Sequence, residues 1–156
     1  MRAMEPYRIR PAGPDDLPIV LDHRRRMFEA MGYTDPATLD AVNESSAPLL
    51  ARGLANGSYR GWLAEAESTI VAGGGIVVLD FQAHPIDPRP RRAFVVNMYT
   101  NPAHRRRGLA RRLMETMIAW SREEGLATLY LHASDEGREL YESLGFAPTG
   151  EMRLLL

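Results

Sequence analysis

Residues 95–113, VVNMYTNPAHRRRGLARRL, constrain this chain more than any other stretch. An apolar run breaks at Asn101-Pro102, an arginine-rich loop follows, and Gly108 opens a segment whose apolar residues return at helical spacing. A strand, loop and helix joined in this way leave the first helical amides without acceptors and set the positive end of the helix dipole beside Arg105, Arg106, Arg107, Arg111 and Arg112. No acid intervenes between Asn101 and Arg112, so the junction suits an anionic phosphate group. Gly108 lets the backbone come close to such a ligand.

Outward from that junction the chain alternates apolar runs with helical segments. Tyr7 to Arg10 alternates and stops at Pro11, and Pro14-Asp15-Asp16 sets capping carboxylates ahead of Leu17, Ile19, Val20, Met27 and Phe28, a strand and then a helix. The run His23 to Arg26 points around much of that helix and reads as a solvated face. Residues 36–54 make a second, less regular helical region closed by Gly53 or Gly57. Residues 59–65 and 69–79, parted by Glu67-Ser68, predict an antiparallel hairpin in which Gly73-Gly74-Gly75 marks a bulge or a close backbone approach. Residues 81–92 hold three prolines without periodicity and read as a mobile loop, with His84 solvated. Ala93 to Tyr99 is the next strand, and Gly108 to Glu124 a helix ended by Gly125, with a core stripe of Leu109, Leu113, Met117 and Trp120 widened by Met114 and Ile118. Ala127 to His132 predicts a strand, Ser134-Asp135-Glu136 an N-terminal helix signal, Glu139 to Leu144 a short helix stopped by Gly145, and residues 146–156 a final strand. The order is β-α-α-β-β-β-α-β-α-β, an α/β (α+β) fold with a mixed, mostly antiparallel sheet and helices on both faces.

The ligand at the junction is narrowed by what the chain lacks. A dinucleotide fingerprint begun at Gly73 needs a glycine where Val78 stands, and all nineteen cationic residues are arginine, so there is no Walker A lysine and no Schiff-base chemistry. Cysteine is absent, which removes disulfides, thiolate nucleophiles and Cys-ligated zinc, and no metal site is read. At 156 residues the chain is expected to be one domain, residues 1–156. MRAMEPYRIRP has no apolar leader core and no apolar run nears about 18 residues, so a cytoplasmic protein without membrane attachment is expected. A formal net charge of -1 argues against general nucleic-acid or membrane affinity.

The pattern Arg105-x-x-Gly108-x-Ala110 after a strand resembles the acetyl-CoA signature of the GNAT superfamily of N-acetyltransferases, and LYLHASDEGRELYESLGF resembles that superfamily's second block. The resemblance spans the chain in element order, including the opening YRIRPAGPDDLP, and is most specific over residues 94–146. It implies a GNAT-like fold in which the strand ending at Thr100 splays from the parallel strand ending near His132. Met98, Tyr99 and Thr100 would then offer backbone groups to the pantetheine arm. Arg105, Arg106, Arg107, Gly108, Leu109 and Ala110, with Arg111 beside them, would hold the diphosphate. Ser134 stands where many relatives carry an asparagine that contacts acetyl-CoA, and Gly137 where a small residue is usual. Tyr141 matches the tyrosine that acts as general acid, protonating the departing thiolate.

Three readings compete. One is an acetyl-CoA-dependent transfer to the primary amine of a small molecule or peptide, direct and within a ternary complex because the chain has no cysteine to carry an acyl group. The second is a non-catalytic acyl-CoA-binding module, and the third a nucleic-acid-binding domain built on the arginines of residues 89–112, which lacks any known motif. The attacking amine must be neutral, and His132, His84, Glu29 and Glu44 stand as candidate bases beside a water chain, with none assigned. Glu29, Asp35, Asp40 and Glu44, in the helices that would cover the acceptor, would favour a cationic amine. The resemblance also implies a possible homodimer.

Overall fold

Residues 6–156 are described by the structure, a computed structural model. Residues 1–5, part of the segment read as lacking a leader, lie outside the described residues. Strand β1 (Arg8–Pro11) leads through a short 3-10 turn into helices α1 (Leu17–Ala30) and α2 (Pro36–Asn56). Strands β2 (Tyr59–Ala66), β3 (Thr69–Asp80) and β4 (Arg91–Thr100) follow, then helices α3 (Leu109–Glu123) and α4 (Asp135–Ser143). The four strands form one antiparallel sheet in the order β1-β2-β3-β4. No helix among the described residues is long and apolar enough to cross a membrane.

The stripe on α3 does what its spacing dictates. Leu109, Leu113, Met114 and Met117 are buried against Trp62, Ala64, Ala72 and Ile76 on one sheet face, and Trp120 meets Trp62 edge to face at 5.5 Å. Each such side chain contributes about 1.5–3 kcal/mol by leaving water, so this face anchors the fold. The opposite face carries a smaller cluster of Val20, Leu50 and Tyr59, formed where α1 and α2 cover the sheet. Helix α2 is longer and more regular than its weak periodicity suggested: it contains Pro48, runs through Gly53 and ends at Gly57 in the left-handed conformation. Gly53 is tolerated inside because a Cβ there would lie 2.6 Å from the Tyr59 Cβ.

The glycine triplet of β3 is a close approach on both faces at once. A Cβ on Gly73 would meet Leu63 and the His23 ring, one on Gly75 would enter the Tyr59 ring at 2.5 Å, and one on Gly74 would lie 2.3 Å from Met98 Sδ on the α3 side. Opposite the triplet, β4 carries an extra residue. Gly75 pairs with Val96 and Gly73 with Tyr99, so Gly74 faces both Asn97 and Met98, and Asn97 takes a φ of 59°.

Two expected strands are corrected. Residues 127–132 meet β4 at a single parallel bridge, Phe94 to Tyr130, closed by Val95 N–H to Tyr130 O (2.8 Å) and Tyr130 N–H to Ala93 O (3.0 Å). The bulge turns β4 away immediately afterwards, and a ladder has no second rung. Residues 146–156 form no strand, and Met152, Leu154, Leu155 and Leu156 are exposed. Their apolar character signalled burial, but no sheet edge pairs with them. The proline loop, too, is tied down: His84 and Asp87 exchange backbone hydrogen bonds, Asp87 holds Arg89, and Arg89 donates to Gly125 O at the end of α3.

Gly75→Ala is expected to cost about 1–3 kcal/mol, because the added methyl displaces a buried ring. Gly74→Ala should cost less, since Met98 can swing its thioether aside. Urea denaturation of the two variants checks the order, and equal costs would mean that the ring at Gly75 yields as easily as the thioether.

Candidate functional site

The bulge at Asn97 builds the site by changing which face β4 shows. Before it, Ala93 and Val95 point to the α3 side and Val96 to the α1 side; after it, Met98 packs toward α3 and Tyr99 lies against the His23 ring of α1, centroids 5.0 Å apart. Val96 and Asn97 therefore sit consecutively on the α1 side. Among the described residues no backbone hydrogen bond joins residues 97–100 to the 127–132 segment. The splay expected between these strands is present, with Met98, Tyr99 and Thr100 along its open edge.

The loop that follows is shaped by local bonds. Asn101 accepts from Ala103 N–H (3.0 Å) and starts a 3-10 turn, and Arg106 (φ 61°) and Gly108 (φ 77°) both take the left-handed conformation before α3 begins. The first main-chain bond into α3 is Arg112 N–H to Gly108 O at 3.1 Å. The amides of residues 106–111 therefore have no main-chain acceptor among the described residues. Unpaired amides at the positive end of a helix dipole form a concave donor surface for an anion.

The arginines divide by task. Arg105 Nε donates to Thr100 O (3.2 Å), Arg107 Nη1 to the Tyr7 hydroxyl (3.2 Å), Arg112 Nη2 to Tyr7 O (3.3 Å) and Arg111 Nη2 to Ser143 Oγ (2.6 Å) on α4. These contacts brace the loop against β4, the N-terminal strand segment and α4. Arg106 is exposed and makes no hydrogen bond or ion pair among the described residues, so its charge is the one left to a ligand.

Ser134 caps α4, its Oγ accepting from Gly137 N–H at 3.2 Å, so one of its lone pairs already has an internal partner. Gly137 lies one turn before Tyr141, and a Cβ there would come within 2.7 Å of Tyr141 Cε2. The small residue thus lets the tyrosine ring lie along its own helix. Tyr141 packs edge to face on Phe146 at 6.0 Å beside the α3-side cluster, and its hydroxyl has no hydrogen-bond partner among the described residues. Burial pushes its pKa above the ordinary tyrosine value.

The candidate bases are dispersed. His132 Nε2 and Glu151 are joined by an exposed hydrogen bond, Glu29 pairs with Arg25, His84 accepts from Ile86 N–H within its own turn, and Glu44 is exposed on α2. No hydrogen bond or ring contact joins any of them to Tyr141. Among the described residues there is also no cluster of His, Asp and Glu suited to a metal ion.

Three residues next to the splay escaped the sequence reading. His23 and Arg24, assigned to a solvated face, turn inward: His23 is only 4% exposed, and Arg24 Nη1 donates to Asn97 Oδ1 at 2.8 Å. Asn97 in turn donates to the Tyr59 hydroxyl at 3.3 Å. The signal was the spacing Val20, His23, Arg24 and Met27, which lies on one helical face.

Comparisons with known proteins agree with the geometry. The sequence model of the Acetyltransferase (GNAT) family matches residues 20–146. A crystal structure of a GCN5-related N-acetyltransferase from Ralstonia eutropha JMP134 superposes with a TM-score of 0.89 at 36% identity, covering 96% of this chain and 98% of that one. A predicted acetyltransferase with acetyl-CoA from Clostridium acetobutylicum gives 0.87 at 25% identity, covering 96% of each chain. Human N-acetyltransferase 8 is 30% identical over 95 residues, 58% of this chain and 39% of its own length, so the chain spans about two fifths of the curated relatives it matches.

Burial holds His23 neutral, with a pKa lowered to about 4; Asp22 opposes the shift and Arg26 adds to it. The unfolded chain accepts a proton that the fold refuses, so stability is full above pH about 6.5 and is lost as pH falls toward 4, by up to about 3 kcal/mol. Denaturant midpoints measured between pH 7 and pH 4 should show this limb, and His23→Gln should flatten it. An unchanged limb would mean that His23 titrates normally in the fold.

Proposed function

The chain belongs to the acetyltransferase (GNAT) family, and we propose that it moves an acetyl group from acetyl-CoA to the primary amine of a small molecule or peptide, by direct transfer with both substrates bound. The observation that carries this reading is the open edge of β4 running directly into an unpaired row of amides: a neutral amide-bearing arm fits the first and a diphosphate the second. Met98, Tyr99 and Thr100 supply main-chain groups along the arm. Residues 106–111 supply amides, with Arg106 as the added charge, and Arg105, Arg107 and Arg111 keep the loop in shape. Ser134 and Gly137 serve mainly by capping α4 and seating Tyr141.

Acetyl-CoA brings an acyl group already activated as a thioester. The chain's part is to hold it, to admit a neutral amine from the α1 and α2 side, and to give the departing sulfur a proton from Tyr141 Oη. A raised pKa keeps that proton in place at neutral pH. It also makes donation uphill to a thiolate of ordinary pKa about 8.5, unless the sulfur is desolvated beside the ring and its own pKa rises in step. The half-buried setting of Tyr141 supplies that desolvation. The base that frees the amine is left unassigned, since among the described residues no candidate base hydrogen-bonds to Tyr141.

Release of free CoA from acetyl-CoA, followed over a panel of amino acids, polyamines, aminoglycosides and peptides, tests the reading. Tyr141→Phe should lower kcat by about 10²–10⁴-fold while leaving acetyl-CoA binding intact. Binding of acetyl-CoA with no amine turned over would leave a binding module in place of an enzyme. Arg106→Glu should weaken CoA by about tenfold in calorimetry, more at low salt than at high, as expected when one exposed charge contact is reversed. Unchanged affinity would remove the diphosphate from this loop.

A further inference from the structure

Arg24 is a half-buried cation with no anion to answer it among the described residues. Its Nη1 donates to Asn97 Oδ1, its guanidinium lies over the Phe28 ring at 4.9 Å, and its Nε is sealed from solvent without a hydrogen-bond partner. Among the described residues no carboxylate acts on it: burial lowers its pKa, and only the Tyr59 phenol opposes that shift. Its neighbours on α1 are different. Arg25 is held by Glu29 and Asp40, and Arg26 by Asp22.

Leaving a guanidinium unpaired in a dry setting is costly, and a fold retains one where a ligand completes it. The position agrees, because Asn97 is the bulged residue that begins the open edge of β4, and its side chain lies on the face that α1 and α2 cover. Of the four acids expected to draw a cationic acceptor, three are already engaged and Glu44 stays exposed on α2. Glu29 and Asp40 pair with Arg25, and Asp35 caps α2 by accepting from Thr38 N–H at 3.0 Å. Beside the bulge, what this side of the site offers is a guanidinium donor, which suits a carboxylate.

Resting on the acetyltransferase reading above, we propose that Arg24 receives a carboxylate of the acceptor, so that the acceptors are amines bearing an acid group, such as amino acids, in preference to polycations. Asn97 accepts from its Nη1, and the Phe28 ring lies 4.9 Å from its central carbon. Nη2, which makes no hydrogen bond among the described residues and is not sealed as Nε is, is the donor left for a carboxylate.

The test uses matched pairs: α-amino acids, β-alanine and 4-aminobutyrate, each beside its carboxamide, with spermidine and kanamycin as cations. CoA release should favour the acid member of a productive pair by about tenfold or more in kcat/KM, since a site built to bond a substrate group discriminates against the analogue lacking it. Arg24→Gln should abolish that preference mainly through KM, and Arg24→Lys should restore part of it, because the charge returns without the fork. A second readout does not need turnover. In CoA-loaded protein, the Nε–H resonance lost in Arg24→Gln should shift on titration with the productive acid and stay still with its amide. Preference for the amide or the cations, or an acid preference that survives Arg24→Gln, overturns the proposal while leaving the acetyltransferase reading intact. Faster transfer from succinyl-CoA than from acetyl-CoA to the carboxamides, lost in Arg24→Gln, overturns it too, by placing the carboxylate on the acyl chain. Failure to bind acetyl-CoA at all is the separate result that removes the parent reading. Acetyl-CoA affinity, measured on each variant, reports whether its fold is intact.

Discussion

The site depends on one extra residue in β4. Because Asn97 and Met98 together face Gly74, every residue after the bulge changes sides relative to the even register of an ordinary strand. Tyr99 lands against His23, and Met98 lands on the α3 face. The bulge can exist only because β3 has no side chains there. A Cβ on Gly74 would overlap Met98, and Cβ atoms on Gly73 and Gly75 would collide with the groups that α1 and β2 place over the sheet. The left-handed backbone of Asn97 is a strained conformation for a residue with a side chain, and its two side-chain bonds, to Arg24 and Tyr59, hold it in place.

From that bulge follows the failure of the next strand to pair. Residues 127–132 have the composition of a strand and lie beside β4, but β4 diverges after Tyr130 is met. Local propensity was therefore read correctly there while the pairing was not, because a one-residue bulge in a neighbouring strand leaves no mark in the segment's own sequence. Residues 146–156 show the same limit in another form: alternating or apolar character states what a segment can do, and only the available edge decides whether it does.

The helix of residues 109–123 and the junction before it were legible because their signals are local. Gly108 is required by a positive φ, the stripe by the 3.6-residue period, and the cap at Ser134 by its own side chain. The arginines were legible in number and place but not in role. Their partners, Tyr7, Thr100 and Ser143, lie up to 105 positions away in the chain, as for Arg112 and Tyr7. His23 and Arg24 were hidden by their neighbours, since HRRR reads as one polar run although two of its members are turned inward by the helical period.

A common physical rule links the open edge, the amide row and Arg24. Each is a set of hydrogen-bonding groups that the fold orients without satisfying: the bulge frees the edge, the left-handed Arg106 and Gly108 free the amides, and burial leaves the Arg24 Nε without a partner. Unsatisfied groups are costly, so the remaining structure must over-determine them, and it does so with the α3 core beneath and the arginine braces around. The braces also explain why the loop keeps its shape despite five like charges between residues 105 and 112: four of them donate to oxygens of the chain, and the residual field is carried by Arg106 and the helix terminus. On the proposed reading, polarity is ordered along the site: the amides and Arg106 would attract charge at one end, the open edge would take a neutral arm between, and at the bulge a second cation would select what approaches from the α1 side.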